Sequence, residues 1–132
     1  MIHGSCLCGQ VSFELENRFS QFHLCHCSQC QKATGSAHAS NLFTSPDNIH
    51  WLTGSDFVSR YDVPGRTISN AFCRHCGSAL PYVSGSGKAL VVPAGCLDDT
   101  PAITPEDNIF WAEKAPWYEA ALASPHFAGF PE

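Results

Sequence analysis

The sequence predicts a small, mainly β domain of short antiparallel strands with one or two short helices. Short stretches that alternate apolar and polar residues, such as 11–15, are typical of half-buried strands. Nine prolines and ten glycines within 132 residues favour many turns and short elements over long helices. Apolar residues make up 44% of the chain, which is enough for one core and indicates a single domain.

The first half of the chain divides into four predicted strands and one helix. The strands cover residues 11–15, 19–25, 36–44 and 49–51. Residues 28–34 could form two turns of helix, and Gly35 is a natural stop. Backbone N–H groups at the start of that helix would favour the thiolate form of nearby cysteines.

The second half is also predicted to be mainly strands. These strands cover residues 57–63, 68–72, 79–83, 89–93 and 109–111. The segments 79–83 and 89–93 predict a hairpin across the Ser-Gly-Ser-Gly sequence at 84–87. Residues 99–105 are expected to be loop, and residues 116–123 a short helix.

Charge and hydropathy exclude several classes of function. The formal net charge is −5 with neutral histidines, and the chain has no basic run, so we expect no nucleic-acid partner. We find no apolar run long enough to span a bilayer and no signal peptide, so we expect no membrane partner and a cytoplasmic location.

The eight cysteines indicate metal binding rather than disulfides. A disulfide framework is the alternative for an even number of cysteines. However, the Cys6-x-Cys8 and Cys25-x-Cys27 spacings are typical of metal-ligand pairs, and a reducing cytosol disfavours disulfides. Clustered thiolates select soft metals, and we expect Zn²⁺. An iron–sulfur cluster is a weaker alternative for a three-cysteine set, because it usually takes four cysteines.

The first candidate site is a four-cysteine set of Cys6, Cys8, Cys73 and Cys76. We expect Cys6 and Cys8 to share one face of an extended segment, and the Cys-x-x-Cys-Gly sequence at 73–77 to form a zinc knuckle. Four ligands close a tetrahedral zinc site, so its predicted role is structural. Two redox dithiols are the alternative, but a disulfide between residues i and i+2 is strained.

The second candidate site is the set Cys25, Cys27 and Cys30. Alternation in an extended segment places Cys25 and Cys27 on one face, and a following helix brings Cys30 to them. Three ligands leave one zinc position for substrate, which is the pattern of a catalytic site. A closed structural site is the alternative, and strand alternation argues against His26 as the fourth ligand. The candidates for that ligand are His3, His23, His26, His38, His50, His75, Cys96 and His126.

Three cysteine motifs occur together and in order, which makes a family resemblance specific. They are GSCLCGQV at 4–11, CHCSQCQKATGS at 25–36 and FCRHCGS at 72–78, with KAPW at 114–117 as a further match. In these motifs the chain resembles the CENP-V/GFA family, named for glutathione-dependent formaldehyde-activating enzyme. The resemblance covers residues 2 to about 117, so we expect a zinc-binding domain at 2–118 and a C-terminal tail at 119–132.

The resemblance implies a fold, two metal sites and a reaction. The implied fold is the Mss4-like zinc-bound fold. The implied sites are a structural zinc on Cys6, Cys8, Cys73 and Cys76, and a catalytic-type zinc on Cys25, Cys27 and Cys30. The family's named reaction joins formaldehyde and glutathione into S-hydroxymethylglutathione.

The resulting hypothesis is a zinc-dependent carbon–sulfur lyase acting on a small thiol adduct, with glutathione adducts among the candidates. The alternatives are a non-enzymatic zinc-dependent protein-interaction module and a thiol/zinc redox sensor. His23 and His26 are the nearest candidates for carrying the substrate's proton, although each is more simply a packing residue.

The cations, the large aromatic residues and Cys96 have no role that the sequence assigns. The cations that could bind a substrate carboxylate are Arg18, Lys32, Arg60, Arg66, Arg74, Lys88 and Lys114, and spacing singles out none of them. The aromatic residues Trp51, Trp111, Trp117 and Tyr118 are expected in the core rather than in a pocket or interface. Cys96 stands alone, and we expect it to be a small buried apolar residue.

Overall fold

The computed structural model describes residues 1–131 and has ten short strands and two α-helices. The strands are β1 Ile2–Ser5, β2 Ser12–Leu15, β3 Gln21–Cys25, β4 Ala39–Thr44, β5 His50–Thr53, β6 Val58–Asp62, β7 Ser69–Cys73, β8 Tyr82–Val83, β9 Leu90–Pro93 and β10 Asp107–Ile109. The helices are α1 Ser28–Thr34 and α2 Tyr118–Leu122. Single 3-10 turns cover Ser55–Phe57, Ala94–Cys96 and Trp111–Glu113.

The strands form three sheets. A five-stranded sheet has the order β10-β3-β4-β9-β8, a three-stranded sheet has the order β1-β2-β5, and β6 pairs with β7. All of these neighbours are antiparallel except β10 and β3, which run parallel. The mainly β fold class of short antiparallel strands with two short helices is therefore confirmed.

The core lies between the five-stranded and three-stranded sheets. Phe22, Leu42 and Val92 are adjacent across β3, β4 and β9 and are buried. They belong to one cluster with Phe13 and Leu15 of β2, both of which are fully buried. Because side chains alternate along a strand, the opposite face of the five-stranded sheet is free to form a site.

Most predicted elements are present with small shifts at their ends. The helix at 28–34 ends at Gly35, which adopts a left-handed conformation with φ of 65°. The hairpin of β8 and β9 is confirmed, as is the short helix α2.

Three local predictions differ from the structure. Strand β1 was not predicted, and the predicted strand at 109–111 lies two residues earlier as β10. The chain at Leu7 and Cys8 is a turn rather than an extended segment. None of the helices within residues 1–131 has the length and apolarity that crossing a membrane requires.

Candidate metal centres and the adjoining pocket

The four-cysteine set comes together as the sequence predicts. The sulfur atoms of Cys6, Cys8, Cys73 and Cys76 all lie within 4.8 Å of one another. The Cys8 sulfur is 3.5 Å from that of Cys6 and 3.9 Å from that of Cys73. Tetrahedral zinc with Zn–S bonds of about 2.3 Å places its sulfurs about 3.8 Å apart. The four sulfurs therefore fit a zinc ion.

A tight turn presents the first two cysteines. The Gly9 N–H donates to the Cys6 carbonyl at 3.0 Å, and Gly9 has φ of 80°, a conformation that favours glycine. The Val11 N–H points at the Cys6 sulfur at 3.3 Å. This turn brings the Cys6 and Cys8 sulfurs together, so the prediction of an extended segment is wrong although the cluster forms.

A second turn presents the other two cysteines and contacts the first. The Gly77 N–H donates to the Cys73 carbonyl at 2.7 Å, and the His75 N–H donates to the Cys73 sulfur at 3.4 Å. Ser78 joins the two turns, because its hydroxyl accepts from the Leu7 N–H at 2.8 Å. This geometry matches the knuckle predicted from the Cys-x-x-Cys-Gly sequence.

The electrostatics of the four sulfurs favour a bound cation. Hydrogen bonds from the Ser78 side chain and backbone lower the pKa of Cys76 to about 5. The Gln10 N–H lowers the pKa of Cys8, but desolvation and the three neighbouring sulfurs outweigh it and raise that pKa to about 11. Desolvation opposes the charged form of Cys6, but hydrogen bonds from the Val11 N–H, Cys8 and Cys73 outweigh it and lower the pKa of Cys6. Thiolate charge at both Cys6 and Cys76 is repulsive, and a bound cation would offset that repulsion.

The second set comes from the end of β3 and the start of α1. The sulfurs of Cys25, Cys27 and Cys30 lie within 4.8 Å of one another. Cys27 is the N-cap of α1, and its sulfur accepts from the Cys30 N–H at 3.3 Å. The strand-to-helix transition predicted from spacing therefore brings these three sulfurs together, and their donor set suits zinc.

The set of Cys25, Cys27 and Cys30 (the trio) has no exposed member, whereas the set of Cys6, Cys8, Cys73 and Cys76 (the quartet) includes the exposed Cys8. Burial raises the pKa of Cys25 and also that of Cys30. Cys27 adds to the upward shift at Cys25, and both Cys27 and Cys25 add to the shift at Cys30, because thiolates placed close together repel one another. A divalent cation would offset both effects.

Within residues 1–131, no histidine, aspartate, glutamate or further cysteine places a ligand atom within 4.8 Å of all three sulfurs of the trio. The eight candidates for a fourth ligand therefore do not complete the set. His26 is fully buried and its Nε2 lies 2.8 Å from Asn108 Oδ1. Its ring packs against those of His38, Trp111 and Tyr118. This agrees with the prediction that His26 points away from the trio.

Strand β10 and the turn after it support the segment that carries the trio. The Ile109 carbonyl accepts from the His26 N–H at 3.0 Å. The Glu113 carboxylate accepts from the Ser28 N–H at 3.1 Å, at the start of α1. Gln31 donates through Nε2 to the carbonyls of both His26 and Glu113. Strand β10 and the turn after it therefore hold the backbone between the three cysteines, at His26 and Ser28.

The trio opens into a pocket of about 490 Å³. Its floor is the face of the five-stranded sheet that lies opposite the core, and includes Cys25, Asn41 and Val91. The start of α1 and the loop at 66–68 form its walls. All three cysteines of the trio line it, whereas none of the quartet does.

Several polar residues line the pocket beside the trio. His23 Nδ1 lies 2.5 Å from Asp107 Oδ1, and its Nε2 lies 3.1 Å from Gln21 Oε1. Burial raises the pKa of Tyr82 to about 12, with the neighbouring Cys30 and Cys25 sulfurs adding to the shift. The phenol therefore stays protonated at neutral pH and can donate a hydrogen bond.

Sequence reasoning did not identify Asn41, Tyr82, Asp107 or Glu113. Alternation along β4 would have placed Asn41 on the face opposite Leu42, but the sequence does not show that this face forms a pocket. Of the two histidines considered as proton carriers, only His23 lines the pocket.

Of the seven cations, only Arg66 lines this pocket. Three of the others form ion pairs, namely Arg18 with Glu16, Arg60 with Asp62 and Lys114 with Glu119.

The other residues considered in advance lie outside both clusters. Trp51 packs edge-on against Phe13 with ring centroids 5.5 Å apart, as expected of a core residue. Trp111 and Trp117 are 40% and 55% exposed, so the prediction that they belong to the core is wrong. Cys96 packs against the core, and burial raises its pKa to about 12.

Comparison with known proteins identifies the family. The sequence model of the glutathione-dependent formaldehyde-activating enzyme (GFA) family matches residues 1–113. The chain belongs to the GFA family. The crystal structure of a Rhodobacter sphaeroides protein is similar, with a TM-score of 0.62 and 24% sequence identity. The similarity covers 81% of this chain and 98% of that one, and it shows a shared fold. A search of curated proteins finds no match.

Family membership agrees with the two clusters. As a GFA-type chain, the protein has one four-cysteine and one three-cysteine cluster that could each hold a metal ion, and both donor sets are consistent with zinc.

Proposed function

We propose that the protein is a zinc-dependent carbon–sulfur lyase that acts on a small hydroxymethyl thiol adduct, in the manner of an S-hydroxymethylglutathione synthase. One observation carries the proposal: the trio lines a pocket, and no fourth ligand completes it among residues 1–131. An open coordination position beside a pocket is what distinguishes catalytic from structural zinc sites. Family membership supports the same reaction class.

The two clusters would have different roles. Cys6, Cys8, Cys73 and Cys76 would hold a structural zinc that joins the turn after β1 to the knuckle after β7. Cys25, Cys27 and Cys30 would hold the second zinc, which when bound supplies Lewis acidity and stabilises a thiolate at neutral pH.

The reaction is a reversible cleavage that needs no oxidant or reductant. In the lyase direction the bond between carbon and sulfur breaks, its electron pair stays on sulfur, and the hydroxyl loses its proton to give formaldehyde. In the synthase direction the thiolate adds to the carbonyl carbon and the oxygen takes up a proton. The protein must therefore bind a thiolate, orient an oxygen and allow one proton to move.

The polar residues of the pocket suit the oxygen of the substrate. Tyr82 remains protonated and could donate a hydrogen bond to a developing alkoxide or to the carbonyl oxygen. His23 is oriented by Asp107 through Nδ1. Its Nε2 lies beside Gln21 Oε1. Proton exchange with substrate at Nε2 therefore requires the Gln21 side chain to move aside.

A rate measurement tests the proposal. The zinc-loaded, reduced protein is mixed with formaldehyde and each of a panel of small thiols that includes glutathione and 3-mercaptopropionate, and the exchange between free and adducted thiol is followed by NMR. We expect a rate above the uncatalysed background that falls by about 100-fold or more in Cys27→Ala, because losing one ligand disrupts the metal and its bound thiolate. Cys96→Ala is the matched control, since its thiol lies outside both clusters.

Two results would contradict the proposal. One is a rate of thiol exchange no higher than the uncatalysed background, measured with both zinc ions bound and across a panel of thiol and aldehyde pairs. The other is a Cys27→Ala variant as fast as the wild type. After either result, the remaining hypotheses would be a zinc-dependent interaction module and a thiol/zinc redox sensor. A sensor would release zinc under mild oxidant while remaining folded.

A further inference from the structure

We propose that Arg66 recognises a carboxylate on the substrate, and that the pocket takes a small thiol carrying a single carboxylate. This inference rests on the proposed function, because it assumes that the substrate's sulfur lies at the trio. It adds a residue and a substrate class to that function.

Arg66 is the cation available at the pocket. It lies in the loop between β6 and β7, which forms one wall of the pocket, and its side chain is exposed. Among residues 1–131 its guanidinium has no ion-pair or hydrogen-bond partner; its backbone N–H alone is engaged, with the Val63 carbonyl at 3.1 Å. A guanidinium is well suited to bind a carboxylate with two parallel hydrogen bonds.

A second arginine lies close to the pocket but already binds groups of the protein itself. Arg60 lies in an adjoining groove, which shares Arg66 and Ser84 with the pocket. Its Nε donates to Asp62 at 2.9 Å, its Nη1 to the Val83 carbonyl at 2.6 Å and its Nη2 to the Ser69 hydroxyl at 3.1 Å. A substrate carboxylate there would have only the two remaining N–H groups to bind, and the Asp62 carboxylate paired with Arg60 would repel it.

The rest of the pocket disfavours a second negative charge. Zinc held by three thiolates carries one net negative charge. The Glu113 carboxylate also lines the pocket. A second carboxylate would therefore meet repulsion without a free cation to offset it. The pocket is also lined by apolar residues such as Ile68 and Val91, which suit a short carbon chain.

The experiment compares thiols that differ in charge. The protein is loaded with Co²⁺ as a spectroscopic substitute for zinc, and thiol binding is followed by the change in visible absorption. The probes are 2-mercaptoethanol, which is neutral, 3-mercaptopropionate, with one carboxylate, and mercaptosuccinate, with two. Each is titrated into wild type, Arg66→Ala and Lys88→Ala. Lys88 is the matched control, because it is a cation that lines neither cavity.

We expect Arg66→Ala to weaken binding of 3-mercaptopropionate by about five- to tenfold, the range for a partly exposed charge-assisted hydrogen bond. Binding of 2-mercaptoethanol should change by less than about twofold, because it has no group for Arg66 to contact. Lys88→Ala should bind both thiols as the wild type does. The comparison across variants cancels intrinsic differences between the two thiols.

Three results would overturn the inference. If Arg66→Ala weakens both thiols equally or neither of them, Arg66 does not bind the carboxylate. If mercaptosuccinate binds the wild type more than about threefold tighter than 3-mercaptopropionate does, the limit of one carboxylate is wrong. If no thiol alters the cobalt spectrum of the wild type, the proposed function fails together with the inference, whereas thiol binding without charge preference overturns the inference alone.

Discussion

Replacing Cys8 by serine tests whether the four-cysteine cluster stabilises the fold. The sulfurs of Cys8 and Cys73 are 3.9 Å apart across 65 residues of sequence. A cross-link that closes a loop of this length stabilises the folded state by about 4 kcal/mol through the entropy of the unfolded chain. Because Cys8 is exposed, the substitution should leave no cavity, and the loss of the cross-link should dominate.

The expected change is large enough to measure by thermal unfolding. A domain of this size loses about 3 to 5 °C in Tm per kcal/mol, so we expect Cys8→Ser to lower Tm by about 15 °C in the zinc-loaded, reduced protein. Cys27→Ser is the comparison. Its cluster draws on residues 25–30 alone, so the closed loop is short and the expected loss is less than about half as large.

The reasoning would be refuted in either of two ways. A Tm of Cys8→Ser within about 5 °C of the wild type would mean that the quartet does not cross-link the fold. An equal loss in Cys27→Ser would mean that the trio is as structural as the quartet. Circular dichroism gives both values, and zinc analysis of each variant shows which ion has been lost.

Three further outcomes follow from the contacts around the trio. His23→Gln should slow exchange by about 100-fold or more at unchanged zinc content if His23 moves the proton, and a rate within about threefold of wild type would exclude that role. Asn108→Ala should destabilise the fold by about 1–3 kcal/mol in denaturant titration, because it leaves the buried His26 without its partner; an unchanged midpoint would contradict this. Because the pKa values of Cys25 and Cys30 are raised, their thiols are protonated at neutral pH. Zinc binding at the trio should therefore release at least about two protons and tighten as pH rises, which calorimetry in buffers of different ionisation enthalpy measures; release of less than about one proton would refute it.

Both cysteine clusters were predictable because each contains ligand pairs with a characteristic local spacing. That the Cys6–Cys8 pair meets the Cys73–Cys76 pair across 65 residues followed from the four ligands that a tetrahedral zinc takes, and not from local structure. The residues Cys25, Cys27 and Cys30 meet through the geometry of a strand end and a helix start, each of which has a signal in the sequence. The Cys6–Cys8 cluster formed despite a wrong local prediction, because a turn closed by Gly9 also brings two nearby sulfurs together.

The pocket was less predictable because its walls come from distant parts of the chain. Asp107 and His23 pair across 84 residues, and the sequence Asp-Asn-Ile of β10 has no apolar alternation to mark it as a strand. Arg66 lies in a loop whose position depends on the sheets that flank it. The exposure of Trp111 and Trp117 likewise depends on tertiary packing rather than on residue type.

The parallel pairing of β10 with β3 has a consequence for the order of assembly during synthesis. A ribosome releases all three cysteine motifs, which form the trio and the quartet, well before it releases residues 107–113. Until that later stretch emerges, the backbone beside Cys25 lacks the Ile109 carbonyl that accepts from His26, and the start of α1 lacks the Glu113 carboxylate. The sulfurs of both clusters can therefore come together early in synthesis, but the pocket beside the trio is completed only after residues 107–113 have been released.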